Sequence, residues 1–323
     1  MIMGNIFRRT KKKYLYKLGG STMDIGRLIT EQRNPLSFSL DQMSTEEILQ
    51  LINQEDQKIA KAVQEVLPIV AKVVEKVYQS LENGGKLFYV GAGTSGRIGM
   101  VDASECPPTF MTEPKMVQTV MAGGNEAFFH AIEGAEDSEG QGELDIKEKQ
   151  VTNRDVVIGI TASGRTPYPI GAIKYAKNIG AYTVGLTCNG NSIISKYTDC
   201  CIEVIVGPEV LTGSTRMKSA TAHKMVLNMI STVSMVKMGK VYENLMVDVK
   251  ANNYKLKERA KRIIMEITGV SYETAEAVLL ETNYEVKPAI VMLQSGADAE
   301  LARKALLTCK GYVRKALEYI KSL

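Results

Sequence analysis

Residues that bind metals or form disulfides are scarce in this sequence. The 323 residues include only two histidines, His130 and His223, and five cysteines, none of which forms a C-x-x-C pair. A histidine-based metal site or a Ser-His-Asp triad would need one of those two histidines, so neither kind of site is favoured. An odd number of cysteines without pair spacing is typical of reduced thiols and predicts a cytoplasmic protein.

Long apolar segments are also missing. No uninterrupted apolar stretch has the length of a transmembrane helix, and none of signal-peptide length follows the basic start. A composition of 45% hydrophobic and 24% charged residues is ordinary for a soluble globular protein. The sequence therefore predicts no membrane partner, and it is long enough for one large domain or two smaller ones.

Positive charge is concentrated at the start of the chain. The formal net charge of +4 includes six basic residues within residues 1–22, and no acidic residue occurs before Asp24. Subtracting those six charges leaves the remaining chain at −2. We therefore predict that residues 1–22 are a basic, disordered extension and that the body of the protein has no nucleic-acid partner.

The middle of the chain alternates between strand and helix patterns. A capping box at Ser44–Glu47 and a second helical pattern near Ile69–Leu81 predict N-terminal helices. Five apolar runs follow, with helical patterns at 126–135, 169–178 and 221–237 between or after them. Buried runs joined by crossover helices are typical of an α/β fold with a doubly wound, five-stranded parallel sheet. The five runs are Leu87–Val90, Val117–Met121, Asp155–Ile160, Tyr182–Leu186 and Cys201–Val206.

Strand patterns stop after about Lys250. Four helical segments are predicted beyond it, and a helix stop followed by an N-cap separates the first two. The chain therefore divides into the extension, a larger α/β domain over residues 23–250 and a small all-helical C-terminal subdomain over residues 251–323. The four helical segments are Tyr254–Thr268, Ser271–Glu281, Val286–Leu293 and Ala297–Ile320.

Two of the predicted strands are followed by matching polar loops. Thr94-Ser95-Gly96-Arg97 follows the first apolar run, and Ala162-Ser163-Gly164-Arg165 follows the third. Hydroxyls and backbone N–H groups at a helix N-terminus suit a phosphate, to which either arginine could add a bidentate contact. The alternative is that the hydroxyls only cap the helices. Two such loops in one sheet favour phosphate, because ligands bind beyond the carboxyl ends of strands at a switch point.

Two further segments give weaker signals. Thr212–Lys218 carries hydroxyls, an arginine and a lysine before the predicted helix at Thr221, which suits an anion or, equally well, a solvated helix cap. Gly91-x-Gly93-x-x-Gly96 satisfies the dinucleotide fingerprint. That fingerprint needs an acidic residue at the end of the second strand, and none occurs before Glu126. A nicotinamide cofactor is therefore disfavoured.

Two glutamates stand at predicted helix ends. Glu105 precedes Cys106-Pro107-Pro108, and the double proline predicts that the helix from Arg97 ends at about Glu105. A carboxylate at such a break is a candidate for partial desolvation and a raised pKa. Glu136 follows Gly134, where another helical pattern frays. Because most glutamates are exposed, these observations alone do not choose the two over other acidic residues.

Six longer motifs occur in a fixed order along the chain. They are G-A-G-T-S-G-R, D-A-S-E-C-P-P-T, E-G-A-E-D, A-S-G-R-T-P-Y, T-G-S-T-R-M-K-S-A-T-A-H-K and N-L-M-V-D-V. Together they resemble the N-acetylmuramic acid 6-phosphate etherases of the sugar isomerase (SIS) superfamily. The resemblance runs from about Ile29 to the C-terminus and leaves residues 1–22 outside.

The resemblance implies a fold, a reaction and partners. The fold is the SIS fold, and the substrate is a phosphorylated amino sugar whose D-lactyl ether is cleaved by water in amino sugar catabolism. Lactate leaves by elimination from the ring-opened aldehyde, and water then adds. The family uses no metal and no organic cofactor. Its relatives also imply a homodimer with the active site near the interface.

The resemblance also implies roles for individual residues. Glu105 is expected to protonate departing lactate and later to activate water, and Glu136 is expected to remove the C2 proton. Phosphate is expected on Thr94, Ser95, Ser163 and Thr166. Further sugar or phosphate contacts are expected from Thr161, Arg165, Ser214 and Lys218.

The spacing of these residues raises a geometric difficulty. If the chain is helical from Ser95 to Glu105, ten residues separate the two by about 15 Å. That distance exceeds the span from phosphate to C2 in an open-chain hexose. Either the helix is interrupted, or Glu105 serves a site that a second subunit completes; we favour the shared site.

A different function class is a non-catalytic sugar-phosphate sensor, because SIS domains also regulate transcription and bind kinases. The retained glutamates argue against a sensor, and no helix-turn-helix pattern is evident before Met23. His130 is expected to be a packing or surface residue, and His223 to orient the loop before it.

Overall fold

The computed structural model describes residues 15–18, 21–249 and 254–323. Strand β1 (Leu15–Leu18) pairs antiparallel with β2 (Ser21–Asp24). Both strands lie in or beside residues 1–22, which were predicted to be a disordered extension. Residues 1–14 and 19–20 of that extension lie outside the described residues. Among the described residues, no helix combines the length and apolar character needed to cross a membrane.

Residues 25–43 form a segment that we call the N-terminal strap. It consists of four short 3-10 turns, the last over Leu40–Gln42. Leu28, Thr30 and Asn34 are buried, whereas most other residues of the strap are at least partly exposed. The strap therefore lies on the protein body through a few anchoring side chains.

Helix α1 (Thr45–Glu82) runs without interruption for 38 residues. The predicted capping box is confirmed, because Ser44 Oγ accepts from the Glu47 N–H and the Glu47 carboxylate accepts from the Ser44 N–H. The prediction of two separate N-terminal helices is wrong. Pro68 lies inside α1 and removes one backbone hydrogen bond, at a cost of about 3 kcal/mol. Buried residues continue on both sides of the proline and hold the two halves on one core.

A five-stranded parallel sheet forms the centre of the protein. Its order is β4-β3-β5-β6-β7, and the register places Gly91 of one central strand opposite Ile160 of the next. Each of the five apolar runs forms a strand, which confirms the predicted sheet. The strands are β3 (Leu87–Gly91), β4 (Val117–Met121), β5 (Val156–Ile160), β6 (Tyr182–Thr187) and β7 (Cys200–Glu203).

Helices cover both faces of the sheet. The helices after α1 are α2 (Gly93–Phe110), α3 (Glu139–Glu148), α4 (Pro167–Asn178) and α5 (Lys218–Lys237). Helices α1, α2 and α5 share one hydrophobic core, and α3 and α4 pack on the opposite face. Helix α3 was not predicted, because only Gly142 and Ile146 are buried on it and it has no clear apolar stripe.

The predicted helix over 126–135 is absent. Only a 3-10 turn, Asn125–Phe128, forms there. The Arg97 guanidinium accounts for this difference. It donates hydrogen bonds to the carbonyls of Ala127, Phe128 and His130 at 2.8, 3.2 and 3.1 Å. Those carbonyls point at the guanidinium instead of along a helix axis.

The C-terminal region is a bundle of short helices. Two-residue strands β8 (Val241–Tyr242) and β9 (Leu245–Met246) precede it. The predicted helix over 297–320 is two helices, because Lys310 and Gly311 adopt positive φ values of 53° and 82°. Tyr242, Val247 and Val249 belong to the core of this helical bundle, although they precede residue 250. The predicted domain boundary at residue 250 stays a prediction. The helices are α6 (Tyr254–Thr268), α7 (Tyr272–Glu281), α8 (Val286–Ser295), α9 (Ala299–Thr308) and α10 (Val313–Lys321).

Candidate functional site

The topological switch point of the sheet lies between β3 and β5. The chain leaves β3 for β4 on one side and returns to β5 on the other, so the carboxyl ends of β3 and β5 are neighbours. The loops after these strands are the two matching polar loops. The sheet order therefore places both loops at the crevice where α/β proteins bind ligands.

Three predicted contact residues meet in the loop after β5. The Thr161 Oγ1 lies 2.8 Å from the Thr166 Oγ1 and 3.3 Å from the Ser163 Oγ. The Arg165 backbone N–H donates to the Ser163 Oγ at 3.2 Å. Gly164 turns the loop with a φ of +70°, and a Cβ there would lie 2.3 Å from the Ser192 Cβ. Only glycine fits this turn, which gathers the three hydroxyls.

Thr94 and Ser95 lie in the first turn of α2, and both side chains are half-buried. The N-cap of this helix is Ala92, which has no capping side chain, and Thr166 is the N-cap of α4 without a side-chain capping bond. The capping alternative therefore finds no support in either loop. The hydroxyls of both loops and the first-turn N–H groups of α2 suit an anionic ligand, whereas α4 begins with Pro167 and Pro169, which have no N–H.

The third polar segment is organised differently from the other two. Helix α5 begins at Lys218, and the N–H groups of Lys218 and Ser219 each donate to the buried Glu209 carboxylate at 3.0 Å. The protein's own carboxylate thus occupies this helix N-terminus. Ser214 lies half-buried in the preceding turn. Sequence reasoning missed Glu209, whose only signal was its place just before the polar segment.

The Lys218 ammonium is bound within the protein. Its Nζ lies 2.5 Å from the Glu55 carboxylate of α1, and both side chains are almost completely buried. Glu55 also pairs with the exposed Lys58. Burial acts to raise the pKa of Glu55, but the hydrogen bonds from the two lysines outweigh burial, and its pKa is lowered. Lys218 therefore ties the start of α5 to α1.

Helix α2 continues through the double proline. The predicted end at about Glu105 is wrong, because Pro107 and Pro108 lie inside the helix, which ends at Phe110. The prolines lack N–H donors, but the buried Cys106 and Phe110 keep the final turn on the core. Glu105 is exposed on this helix.

The continuity of α2 tests one of the two explanations for the distance between Ser95 and Glu105. Ten helical residues place Ser95 and Glu105 about 15 Å apart along the helix axis. An interruption that would bring them closer does not exist. The explanation by an interrupted helix is therefore wrong.

Asp102 fixes the position of α2. Its carboxylate accepts from the Tyr89 hydroxyl at 2.8 Å, the Asn228 amide at 2.6 Å and the Ser231 hydroxyl at 2.9 Å. These donors lie on β3 and α5, so one buried carboxylate joins three elements. Sequence reasoning missed this residue, although an acid among the small and apolar residues of the helix was an available signal.

Glu136 lies close to the start of α2. It belongs to the 3-10 turn Ala135–Asp137, which follows Gly134 in the left-handed conformation. Glu136 lines a pocket of about 210 Å³ together with Ala92 and Gly93, the N-cap and first residue of α2. Glu136 is exposed in the single chain. Its pKa is nevertheless raised, mainly by desolvation and to a lesser extent by the negative charge of Asp137. A raised pKa makes this carboxylate a stronger base than an ordinary glutamate.

Two curated relatives match almost the whole chain. The N-acetylmuramic acid 6-phosphate etherase of Bacillus subtilis (strain 168) is 54% identical over 297 residues, which cover 92% of this chain and 98% of the relative. The protein of the same name from Pectobacterium atrosepticum is 51% identical over 300 residues, which cover 93% and 99%. The chain belongs to the N-acetylmuramic acid 6-phosphate etherase family.

Family models agree with the SIS fold of this etherase family member. Residues 69–177 match the glucokinase regulatory protein N-terminal SIS domain, and residues 136–233 match the SIS domain. Residues 243–295 match the C-terminal lid domain of glucokinase regulatory protein. The solved structure of a phosphoheptose isomerase from Francisella tularensis aligns with this chain at 20% sequence identity and a TM-score of 0.44. The alignment covers 60% of this chain and 100% of the isomerase chain.

The two histidines of this etherase family member contact other residues of the protein. The His223 Nε2 lies 3.4 Å from the Cys188 Sγ at the end of β6. Burial lowers the pKa of His223 to about 4 and raises the pKa of Cys188 to about 12, so both groups are neutral at pH 7. The His130 carbonyl binds Arg97. Over the described ranges, no three His, Cys, Asp or Glu side chains form a group that could hold a metal ion.

Replacement of Lys218 by methionine is expected to lower the free energy of unfolding by about 3–5 kcal/mol, because it leaves Glu55 buried without its main partner. Urea unfolding measures this loss. The control is Lys58→Met, which removes the exposed partner of the same carboxylate and should cost less than about 1 kcal/mol. Equal losses in the two variants would show that the buried pair is not special.

Proposed function

We propose that this protein cleaves the D-lactyl ether of N-acetylmuramic acid 6-phosphate with water and releases N-acetylglucosamine 6-phosphate and D-lactate. The observation that carries the proposal is the identity above 50% with etherases over more than nine-tenths of the chain. The arrangement of the candidate site supports it: three hydroxyls cluster in the loop after β5, and a glutamate with a raised pKa lines a pocket at the start of α2.

The proposed reaction is an elimination followed by a hydration. The sugar ring opens to an aldehyde, whose carbonyl acidifies the proton on C2. Glu136 takes that proton, the C3–O bond breaks, and Glu105 donates a proton to the departing lactate. Glu105 then deprotonates water, which adds to C3, while a proton returns to C2. Two carboxylates in different environments are a known solution for such acid–base chemistry.

The proposed phosphate site is built from hydroxyls and the N-terminus of α2. Thr94, Ser95, Ser163 and Thr166 surround the switch point, and Thr161 lies within the same hydroxyl cluster. Arg165 and Ser214 are proposed as further contacts. Because the Lys218 ammonium binds Glu55, we propose that Lys218 supports the turn that carries Ser214. The body of the chain is near −2, so local donors must attract the anionic substrate.

We propose that the active site is shared between two subunits of a homodimer. The uninterrupted α2 supports this, since Glu105 lies about 15 Å from Ser95 of its own chain. All five cysteines are free thiols, which supports the proposed cytoplasmic location.

Mixed subunits test the shared site. Glu105→Gln chains and Ser163→Ala chains, each nearly inactive alone, are co-expressed with different tags. Random pairing should restore about a quarter of the wild-type activity, because half of the dimers then contain one intact site. The control pairs the double variant with wild type, which should yield inactive mixed dimers. No restored activity, or half-active control dimers, would contradict a shared site.

A coupled D-lactate assay with the phosphorylated muramic sugar tests the reaction itself. We expect one D-lactate for each substrate molecule consumed. Calorimetric binding of the sugar without lactate release would instead favour a sugar-phosphate sensor.

A further inference from the structure

The N-terminal strap is fastened to the candidate site by the side chain of Asn189. The Asn189 Oδ1 accepts from the Ile29 N–H at 2.7 Å. Its Nδ2 donates to the Thr30 Oγ1 at 3.1 Å and to the Ala162 carbonyl at 2.9 Å. Ala162 lies between Thr161 and Ser163 in the hydroxyl loop after β5. One amide group therefore holds the strap directly against the proposed phosphate loop.

A second anchor lies four residues farther along the strap. The Asn34 side chain is buried, and its Nδ2 donates to the Pro208 carbonyl at 3.3 Å. Thr30, the first anchor, is completely buried. Glu31 lies between these two fixed points, directly after Thr30. The two anchors therefore fix the backbone that carries Glu31.

The Glu31 carboxylate lies against the turn that carries Ser214. An ideal Cβ built on Gly213 would be 3.2 Å from the Glu31 Oε2, so the carboxylate fills the space beside this glycine. Glu31 thus lies between two loops with predicted substrate contacts, the loop after β5 and the turn before α5.

No partner for this carboxylate is found in the described part of the chain. Glu31 is half-buried, and its side chain has no hydrogen bond or ion pair with any described residue. A partly buried carboxylate whose backbone is fixed but whose oxygens have no donor is suited to accept hydrogen bonds from a ligand.

We infer that Glu31 binds the sugar portion of the substrate, by accepting hydrogen bonds from its hydroxyls or amide N–H. This inference rests on the proposed function. The phosphate and lactyl carboxylate of the substrate are negatively charged, so Glu31 repels both. The groups on such a substrate that can donate a hydrogen bond to a carboxylate are its hydroxyls and its amide N–H. Glu31 is thereby a specificity-determining residue, separate from the two glutamates proposed for proton transfer.

Glu31→Ala is expected to raise KM about tenfold or more, because a charge-assisted hydrogen bond is lost, and to change kcat less than about threefold. Glu31→Gln should give a smaller increase, since its amide oxygen still accepts. The control is Gln32→Ala, the next residue of the strap, whose side chain is exposed. It should leave KM unchanged.

Two competitive inhibitors separate sugar binding from a merely structural role. In Glu31→Ala, the inhibition constant of N-acetylglucosamine 6-phosphate should rise by the same factor as KM. The constant for inorganic phosphate should stay unchanged or fall, since a like charge has been removed. Equal weakening of both inhibitors would overturn the inference, because it would mean that the phosphate loop had shifted. An unchanged KM would overturn it as well.

Failure of the proposed reaction is distinguishable from failure of this inference. Should the wild-type chain release no D-lactate, calorimetric binding of N-acetylglucosamine 6-phosphate and of inorganic phosphate replaces kinetics. Selective weakening of the sugar phosphate by Glu31→Ala still supports the inference. Equal affinities in wild type and variant, or no wild-type binding of the sugar phosphate, overturn it.

Discussion

Replacement of Glu105 by glutamine is expected to abolish detectable D-lactate release. The amide has nearly the shape of the carboxyl group but cannot give a proton to departing lactate or take one from water. Loss of a general acid–base group reduces rates by about 10²–10⁴-fold, and Glu105 is proposed to act in both half-reactions. The coupled D-lactate assay measures the loss.

Folding should be unaffected by the same replacement. Glu105 is exposed on α2, so its charge does not hold the helix in place. The thermal midpoint of Glu105→Gln should therefore equal that of wild type, and N-acetylglucosamine 6-phosphate should still bind. Glu113→Gln, another exposed glutamate shortly after α2, is the matched control and should retain full activity. Near-normal turnover of Glu105→Gln would show that the assignment of this glutamate is wrong.

Replacement of Glu136 by glutamine is expected to stop the reaction one step earlier. Without a base, the C2 proton stays in place, so neither lactate release nor exchange of that proton with deuterium from D₂O should be seen. In contrast, Glu105→Gln should still allow exchange, because its base is intact. Measurement of both signals by NMR separates the two roles. Glu133→Gln, an exposed glutamate in the same segment, is the control.

The pH dependence offers an independent check on Glu136. A base works only when deprotonated, and desolvation together with the Asp137 charge raises the pKa of Glu136. Activity should therefore begin to fall, as pH decreases, at a higher pH than for an ordinary glutamate. Asp137→Asn removes one cause of the raised pKa and should shift this acid limb to lower pH. An acid limb that does not move would mean that another group controls it.

The strands were predictable because their signals are local. Each of the five apolar runs ends in a loop, and a strand needs only a few consecutive apolar residues to be recognised. The capping box at Ser44 is equally local, since both of its hydrogen bonds join residues three apart. The motifs around Glu105 and Glu136 indicated the family for the same reason, because each is a short, continuous stretch of sequence.

Helix boundaries were predicted less well wherever distant residues decide them. Residues 126–135 have helical spacing, yet the Arg97 guanidinium, about thirty residues earlier, binds their carbonyls. Pro68 and the pair Pro107-Pro108 are local breakers, yet buried side chains on both sides keep α1 and α2 continuous. In each case tertiary contacts outweigh a local preference of a few kcal/mol.

The sequence by itself determined the parallel sheet, the polar loops after two of its strands and the resemblance to the etherases, and that resemblance singled out the two glutamates. These features follow from periodicity and from continuous motifs, which the chain carries locally. Only the tertiary structure decided that Lys218 binds Glu55, 163 residues away, and that the strap places Glu31 beside Gly213. It also decided that α2 is unbroken. The physical reason is that a side chain's partner depends on where the fold brings distant segments together, and no local pattern encodes that distance.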